Sequence, residues 1–191
     1  MALQTMNISK EIALYGGAFD PPHLGHQFTL LYLLSCANYD EIWILPAYNH
    51  PFGKKMAPFE LRYQMCQLLA APLSAKIEVS RVEAEPVCDG RTYNTVRYLQ
   101  KVYPNYRFSF VLGADNLEQS HKWYKWNELS QLVDFIVIGR GIVPQYETIT
   151  LPDISSTLVR SLLAEGKEPT TMVPQNILQF IKEHNLYRLD G

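Results

Sequence analysis

Two histidines, His23 and His26, stand three residues apart, directly after the turn Gly16-Gly17-Ala18-Phe19-Asp20-Pro21-Pro22. On a helical start that spacing puts both imidazoles on one face. The unpaired N–H groups and positive dipole end of the same helix favour an anion beside them. Gly16 and Gly17 remove side chains where a ligand could press against the main chain, and Gly25 lets that approach continue into the first helical turn. The chemistry this predicts is phosphate handling by two imidazole donors. A metal site is disfavoured, because zinc takes three or four protein ligands and no Cys or His cluster completes a set with this pair. The turn also departs from the dinucleotide fingerprint G-x-G-x-x-G and from the P-loop G-x-x-x-x-G-K-[ST].

A second polar group opens the stretch Ile154-Ser155-Ser156-Thr157-Leu158-Val159-Arg160. Its hydroxyls can cap a helix and leave backbone N–H groups pointing outward, and Arg160, one turn in, can reach the same anion. A plain N-cap is the default for a lone Ser-Ser-Thr; beside the first motif, the anion site is the stronger reading. Asp115, in Gly113-Ala114-Asp115, can accept from a ribose hydroxyl or cap the next helix. The aromatics of His121-Lys122-Trp123-Tyr124-Lys125-Trp126 are by default core or surface cover.

Elements that would position these groups follow from the hydrophobic pattern. Strands are expected at Ile12–Tyr15, Glu41–Leu45, Lys76–Ser80, Arg107–Leu112 and Asp134–Ile138, with an extended piece at Glu147–Leu151. Helices are expected at Gln27–Ala37, Pro58–Ala70, Thr92–Val102, His121–Leu132, Ser156–Glu165 and Pro174–His184. The alternation predicts an α/β fold, a Rossmann-like doubly wound parallel sheet with helices on both faces. Ligands of such sheets lie beyond the carboxyl ends of the strands, and His23, His26, Lys54, Asp115, Arg140 and Ser155 all follow strand ends.

At 191 residues, without repeats or linkers, residues 1–191 are expected to form a single domain. The net charge of -2 disfavours a nonspecific nucleic-acid binder. Cys36, Cys66 and Cys88 are scattered and odd in number, which suits a reducing cytoplasm. No apolar run suggests a signal core or membrane span.

Gly16 to His26 resembles the GG-x-FDP-x-H-x-GH signature of the nucleotidylyltransferase superfamily, in the wording of the bacterial nicotinate-nucleotide adenylyltransferase family. Gly113-Ala114-Asp115-Asn116-Leu117 resembles that family's GAD-[SN]-L, Ile154 to Arg160 its ISST-x-[IV]-R, and Val173 to Tyr187 its VP-x-x-V…YI…LY ending. The likeness spans nearly the whole chain and is weakest between Tyr48 and Asn94. There, His50 to Lys55 keeps only Pro51 and Lys54 of P-P-H-K, and either Lys54 or Lys55 could neutralise the mononucleotide phosphate. Arg91-Thr92-Tyr93-Asn94-Thr95-Val96 resembles Y-T-x-D-T-L with Arg91 and Asn94 substituted; Arg91 either faces a ring carboxylate, where it would strengthen preference for the acid, or faces solvent. Gly139-Arg140-Gly141 lacks the proline of [AR]-R-P-G.

The resemblance implies an adenylyltransferase of NAD biosynthesis that joins nicotinate mononucleotide to the AMP part of ATP, giving deamido-NAD and pyrophosphate. It implies catalytic roles for His23 and His26 at the triphosphate. ATP contacts would come from Gly17, Ala18, Phe19, Gly113, Asp115, Ile154, Ser155, Ser156, Thr157 and Arg160. Mononucleotide contacts would come from Lys54, Thr92, Asp115, Trp123, Tyr124 and Arg140, with Trp123 stacked on the pyridine and Trp126 in the core. Mg²⁺ would arrive with ATP, since no carboxylate cluster offers it a dedicated cage. The alternatives are a same-fold enzyme acting on nicotinamide mononucleotide or phosphopantetheine, and a noncatalytic nucleotide-binding domain. Partners are expected to be small molecules rather than nucleic acid or membrane, with a homo-oligomer left open.

Overall fold

Ile12 to Tyr15 form an apolar run buried on both sides, the pattern of a central parallel strand. In the computed structural model, which describes residues 10–36, 38–49, 53–114, 117, 120–139 and 154–188, this run is the heart of β1 (Lys10–Gly17). β2 (Glu41–Pro46), β3 (Ile77–Val79), β4 (Tyr106–Gly113) and β5 (Asp134–Ile138) complete a parallel sheet ordered β3-β2-β1-β4-β5. The chain moves one way from β1 and returns to its other side at β4, so a crevice opens at the carboxyl ends of these two neighbours.

Period-two alternation divides β1 between two cores. Ala13 and Tyr15 face one, with α1 (Leu24–Cys36), α2 (Phe59–Ala70), α5 (Ser156–Ala164) and α6 (Gln175–Glu183) packed around it. Ile12 and Leu14 face the other, covered by α3 (Thr92–Val102), the 3₁₀ turn Val82–Ala84 and α4 (Trp126–Leu132). Gly16 falls in the second register, where a Cβ would lie 2.8 Å from the Phe110 ring. Gly16→Ala is therefore expected to lower stability by about 1–3 kcal/mol through overpacking and to push Phe110 into the crevice. A denaturant midpoint equal to wild type would remove that steric reading.

The expected elements are present with shifted ends. α1 begins at Leu24, not Gln27, because two first-turn donors find partners: Leu24 N–H donates to the Met172 carbonyl (2.8 Å), and His23 N–H to Nδ1 of His26 (3.1 Å). The expected helix His121–Leu132 is divided. A 3₁₀ turn covers Ser120–Lys122, Lys125 takes the left-handed φ of 52°, and α4 starts at Trp126. The Lys125 ammonium lies over the rings of Tyr93 (4.7 Å) and Tyr124 (5.5 Å), contacts that a continuous helix pattern does not reveal. The turn Val82–Ala84 is too short to carry periodicity. The expected extended piece Glu147–Leu151 lies outside the described residues.

Candidate active site

A cleft of about 640 Å³ lies at the carboxyl ends of the strands. Its floor is made by Tyr15 to Asp20 at and beyond the end of β1, Leu45 and Ala47 at and beyond the end of β2, and Val111 to Gly113 at the end of β4. One end reaches over the α1/α5 side of the sheet and the other over the α3/α4 side.

At the first end His26 is fixed from three directions. Its Nδ1 accepts the His23 N–H, which leaves Nε2 to carry the proton of the neutral ring. The ring lies 3.8 Å from that of His23 and 4.8 Å from that of Phe19, centroid to centroid. Gly25 makes room for this stack, since a Cβ there would stand 3.0 Å from the His23 ring. His26 lines the cleft; His23, 1% exposed, lies beneath it.

The carbonyls of the turn after β1 are held by side chains from elsewhere. Arg62 donates to the Ala18 carbonyl (2.8 Å), Arg160 to that of Asp20 (2.6 Å), and Ser156 to that of Pro21 (2.9 Å). Three acceptors that would repel a phosphate are thereby turned toward protein donors. Arg62, 1% exposed, also donates to the Ala57 carbonyl, and burial pulls its guanidinium below the ordinary arginine range. These bonds tie α2 to the β1 turn and give Arg62 a structural role.

Asp20 is buried, and its carboxylate accepts the Tyr187 hydroxyl (2.8 Å) and the Ala57 N–H (3.2 Å) while lying 3.8 Å from Arg160. Burial, and then the negative Asp20, push the Tyr187 phenol far up, so it stays a donor. Tyr187 from the C-terminal segment and Ala57 from just before α2 thus meet at one carboxylate.

At the second end Trp123 meets Phe110 and Trp126 edge-on, at 6.2 and 6.0 Å. The exposed Tyr124 carries the Arg91 guanidinium 4.5 Å from its ring. Thr92 opens α3, whose first intrahelical bonds are made by Asn94 and Thr95 N–H to the Arg91 carbonyl. The N–H groups of Thr92 and Tyr93 stand ahead of those bonds.

Of the expected site residues, Gly17, Ala18, Phe19, His26, Lys54, Thr92, Gly113, Trp123, Tyr124, Ser156 and Arg160 line this cleft. Ser155 instead caps α5 by accepting Leu158 N–H (3.2 Å), and Thr157 accepts from Arg160 (3.3 Å). Ile154 is buried in the first core. Asp115 and Arg140 lie outside the described residues. Trp126 stacks on Phe135 at 4.7 Å within the second core, as expected. Sequence reasoning missed Glu83 and Lys122 on the cleft wall. The weak match around Arg91 could have drawn attention to the segment just before it, but nothing local marks Glu83.

Comparison with known proteins agrees with this geometry. The cytidylyltransferase-like family model matches residues 14–162. A protein of Anaeromyxobacter dehalogenans named probable nicotinate-nucleotide adenylyltransferase is 42% identical over 96% of this chain and 100% of its own length. The nicotinate-nucleotide adenylyltransferase of Bacillus subtilis is 31% identical over 93% of this chain and 98% of its own. The fold is also that of the Plasmodium falciparum nicotinic acid mononucleotide adenylyltransferase solved with NaAD, with a TM-score of 0.78, 24% identity, and coverage of 93% of this chain and 97% of that one. Identity at that level across almost the entire length, joined to a shared fold and a cleft built on the matching signature, makes this chain a member of the nicotinate-nucleotide adenylyltransferase family.

Proposed function

We infer that this protein joins nicotinate mononucleotide to the AMP moiety of ATP, forming deamido-NAD and releasing pyrophosphate in NAD biosynthesis. The observation that carries the reading is the convergence of His26, Ser156 and Arg160 on one cleft whose other end is aromatic. A phosphate oxygen of the mononucleotide attacks the α-phosphorus of ATP, and the bond from that phosphorus to the bridging oxygen of pyrophosphate breaks. The attacking oxygen is already anionic, so no protein nucleophile is required. Alignment of the two nucleotides supplies part of the rate, up to about 7–11 kcal/mol in the best model reactions. Fixed donors supply more, at about 3–4 kcal/mol for a well-placed one.

His26 is suited to donate from Nε2 to the charge developing on the bridge. Arg160 and the start of α5 are suited to hold the leaving pyrophosphate, and the main chain of Gly17 to Phe19 to line the nucleotide. His23 supports the His26 ring from below, through its N–H and the ring stack.

A divalent cation fits these side chains poorly as a protein-held group. Among the described residues no group of three His, Cys, Asp or Glu could hold one, and the Asp20 carboxylate is already engaged by Tyr187 and Ala57. Mg²⁺ is assigned to ATP itself, where it would offset phosphate charge.

A single domain over 1–191 and a cytoplasmic location complete the reading. Cys66 and Cys88 are free and buried, the latter's thiol pushed up to about 11 by burial, which keeps both unreactive. Among the described residues no helix is long and apolar enough to cross a membrane.

Pyrophosphate release measured in parallel with ATP plus nicotinate mononucleotide, nicotinamide mononucleotide or phosphopantetheine tests the assignment. Release mainly with the first is expected. Release only with the last would move the enzyme to another substrate, and none with any would leave a binding domain. Trp123→Ala is expected to raise the KM for nicotinate mononucleotide about tenfold, the scale of one lost aromatic stack, with kcat largely kept. An unchanged KM would place the pyridine elsewhere.

A further inference from the structure

Glu83 is a buried carboxyl on the cleft wall that the mechanism above does not use. It is 7% exposed and stands on the short turn Val82–Ala84, on the side of the sheet covered by α3. Thr95, on α3, donates its hydroxyl to Oε1 of Glu83 at 2.7 Å. Among the described residues no lysine, arginine or histidine forms an ion pair with it. The nearby Arg91 is shared with Asp89, at 3.6 Å, and with the face of Tyr124. Burial pushes the Glu83 carboxyl up, and Asp89 adds to that; the Thr95 hydrogen bond opposes it. A carboxyl taken out of water without a cation is unfavourable, unless a ligand brings the charge.

The ligand assigned to this end brings such a charge. The ring of an N-ribosylated nicotinate is flat and aromatic, and its nitrogen carries a positive charge that no pH change removes, beside the negative charge of the ring carboxylate. Aromatic side chains together with an anionic group are the usual means of recognising a cation of that kind. Trp123 and Phe110 supply aromatic wall, and Glu83 supplies a carboxyl on the same cleft.

We propose that Glu83 is a specificity-determining residue whose carboxylate is the counter-charge to the pyridinium ring of the mononucleotide, held in place by Thr95. The proposal rests on the functional reading above and deepens it. The enzyme should select for ring charge as well as ring shape, and a mononucleotide with a neutral dihydropyridine ring should not benefit from Glu83.

Calorimetric titration of wild type and Glu83→Gln with nicotinate mononucleotide and with its 1,4-dihydropyridine form tests this. The glutamine keeps the size of the side chain and an acceptor for Thr95. Expected is a loss of about tenfold in affinity for the pyridinium form, the scale of one charge pair in a partly desolvated site. Affinity for the dihydro form should be unchanged, and the unfolding midpoint should not fall. Equal weakening of both forms, or of neither, overturns the assignment. Wild type alone provides a second test that does not depend on the variant folding: it should favour the pyridinium form by about the same factor, and equal affinity for the two would also refute the role. Wild type that makes no dinucleotide from nicotinate mononucleotide would remove the functional reading and Glu83 with it. Turnover with uniform losses would remove Glu83 alone.

Discussion

His26→Ala is expected to lower kcat by about 10²- to 10³-fold, the range seen when one preorganised donor to developing charge is removed. KM for nicotinate mononucleotide should change little, because the ring end of the cleft is built from other residues. The substitution also removes a structural bond. Nδ1 of His26 accepts the N–H of His23 in the geometry of a capping box, so alanine leaves a first-turn donor without its acceptor, at about 1 kcal/mol. His26→Gln separates the two effects. Glutamine at this position can reach back to the same N–H but cannot present an imidazole Nε2–H. Steady-state kinetics beside thermal unfolding should show Gln recovering stability without turnover. Recovery of turnover by Gln, or an equal loss in kcat and mononucleotide affinity for Ala, would show that the ring acts as a scaffold.

What the sequence reveals depends on how local each cause is. The β1 turn is legible because its glycines, prolines and histidines are contiguous, and the same residues that bind also shape the backbone. The parallel sheet is legible because apolar runs alternate with helical patterns. The join between the two motifs is less so. The spacing of Ser156 and Arg160 suggests an anion site, but their bonds to the carbonyls of Pro21 and Asp20 span more than a hundred residues. His23 shows the limit of the helical-face argument. Spacing puts both imidazoles on one side of α1, yet packing sets one at the surface of the cleft and the other under it. The break at Lys125 and the placement of Glu83 go with contacts to Tyr93 and to Thr95 on another element. Tyr93 is far from Lys125 along the chain, and no motif marks the pairing of Glu83 with Thr95 twelve residues later.

Arg160→Ala is expected to reduce kcat/KM for ATP by about 10²-fold, since it removes a charged fork from the phosphate end. Arg160 is placed by three contacts, to the Asp20 carbonyl, the Asp20 carboxylate and the Thr157 hydroxyl. Its side chain is 24% exposed, against 3% for that of Asp20, so the pair is held at a protein edge open to the cleft. Loss of the cation leaves a buried carboxylate that keeps its Tyr187 and Ala57 donors. For that reason the stability cost should be about 1–2 kcal/mol, below the 3–5 typical when a buried pair is broken outright. Arg160→Lys restores charge without the planar fork. It should recover most of the unfolding midpoint and only part of the ATP dependence, because an ammonium at Asp20 has fewer donors left for pyrophosphate. Product inhibition supplies the deciding measurement: pyrophosphate should inhibit the alanine variant more weakly than wild type, in step with the loss for ATP. If ATP affinity falls while inhibition by pyrophosphate is unchanged, Arg160 acts on the turn through Asp20 and not on the leaving group.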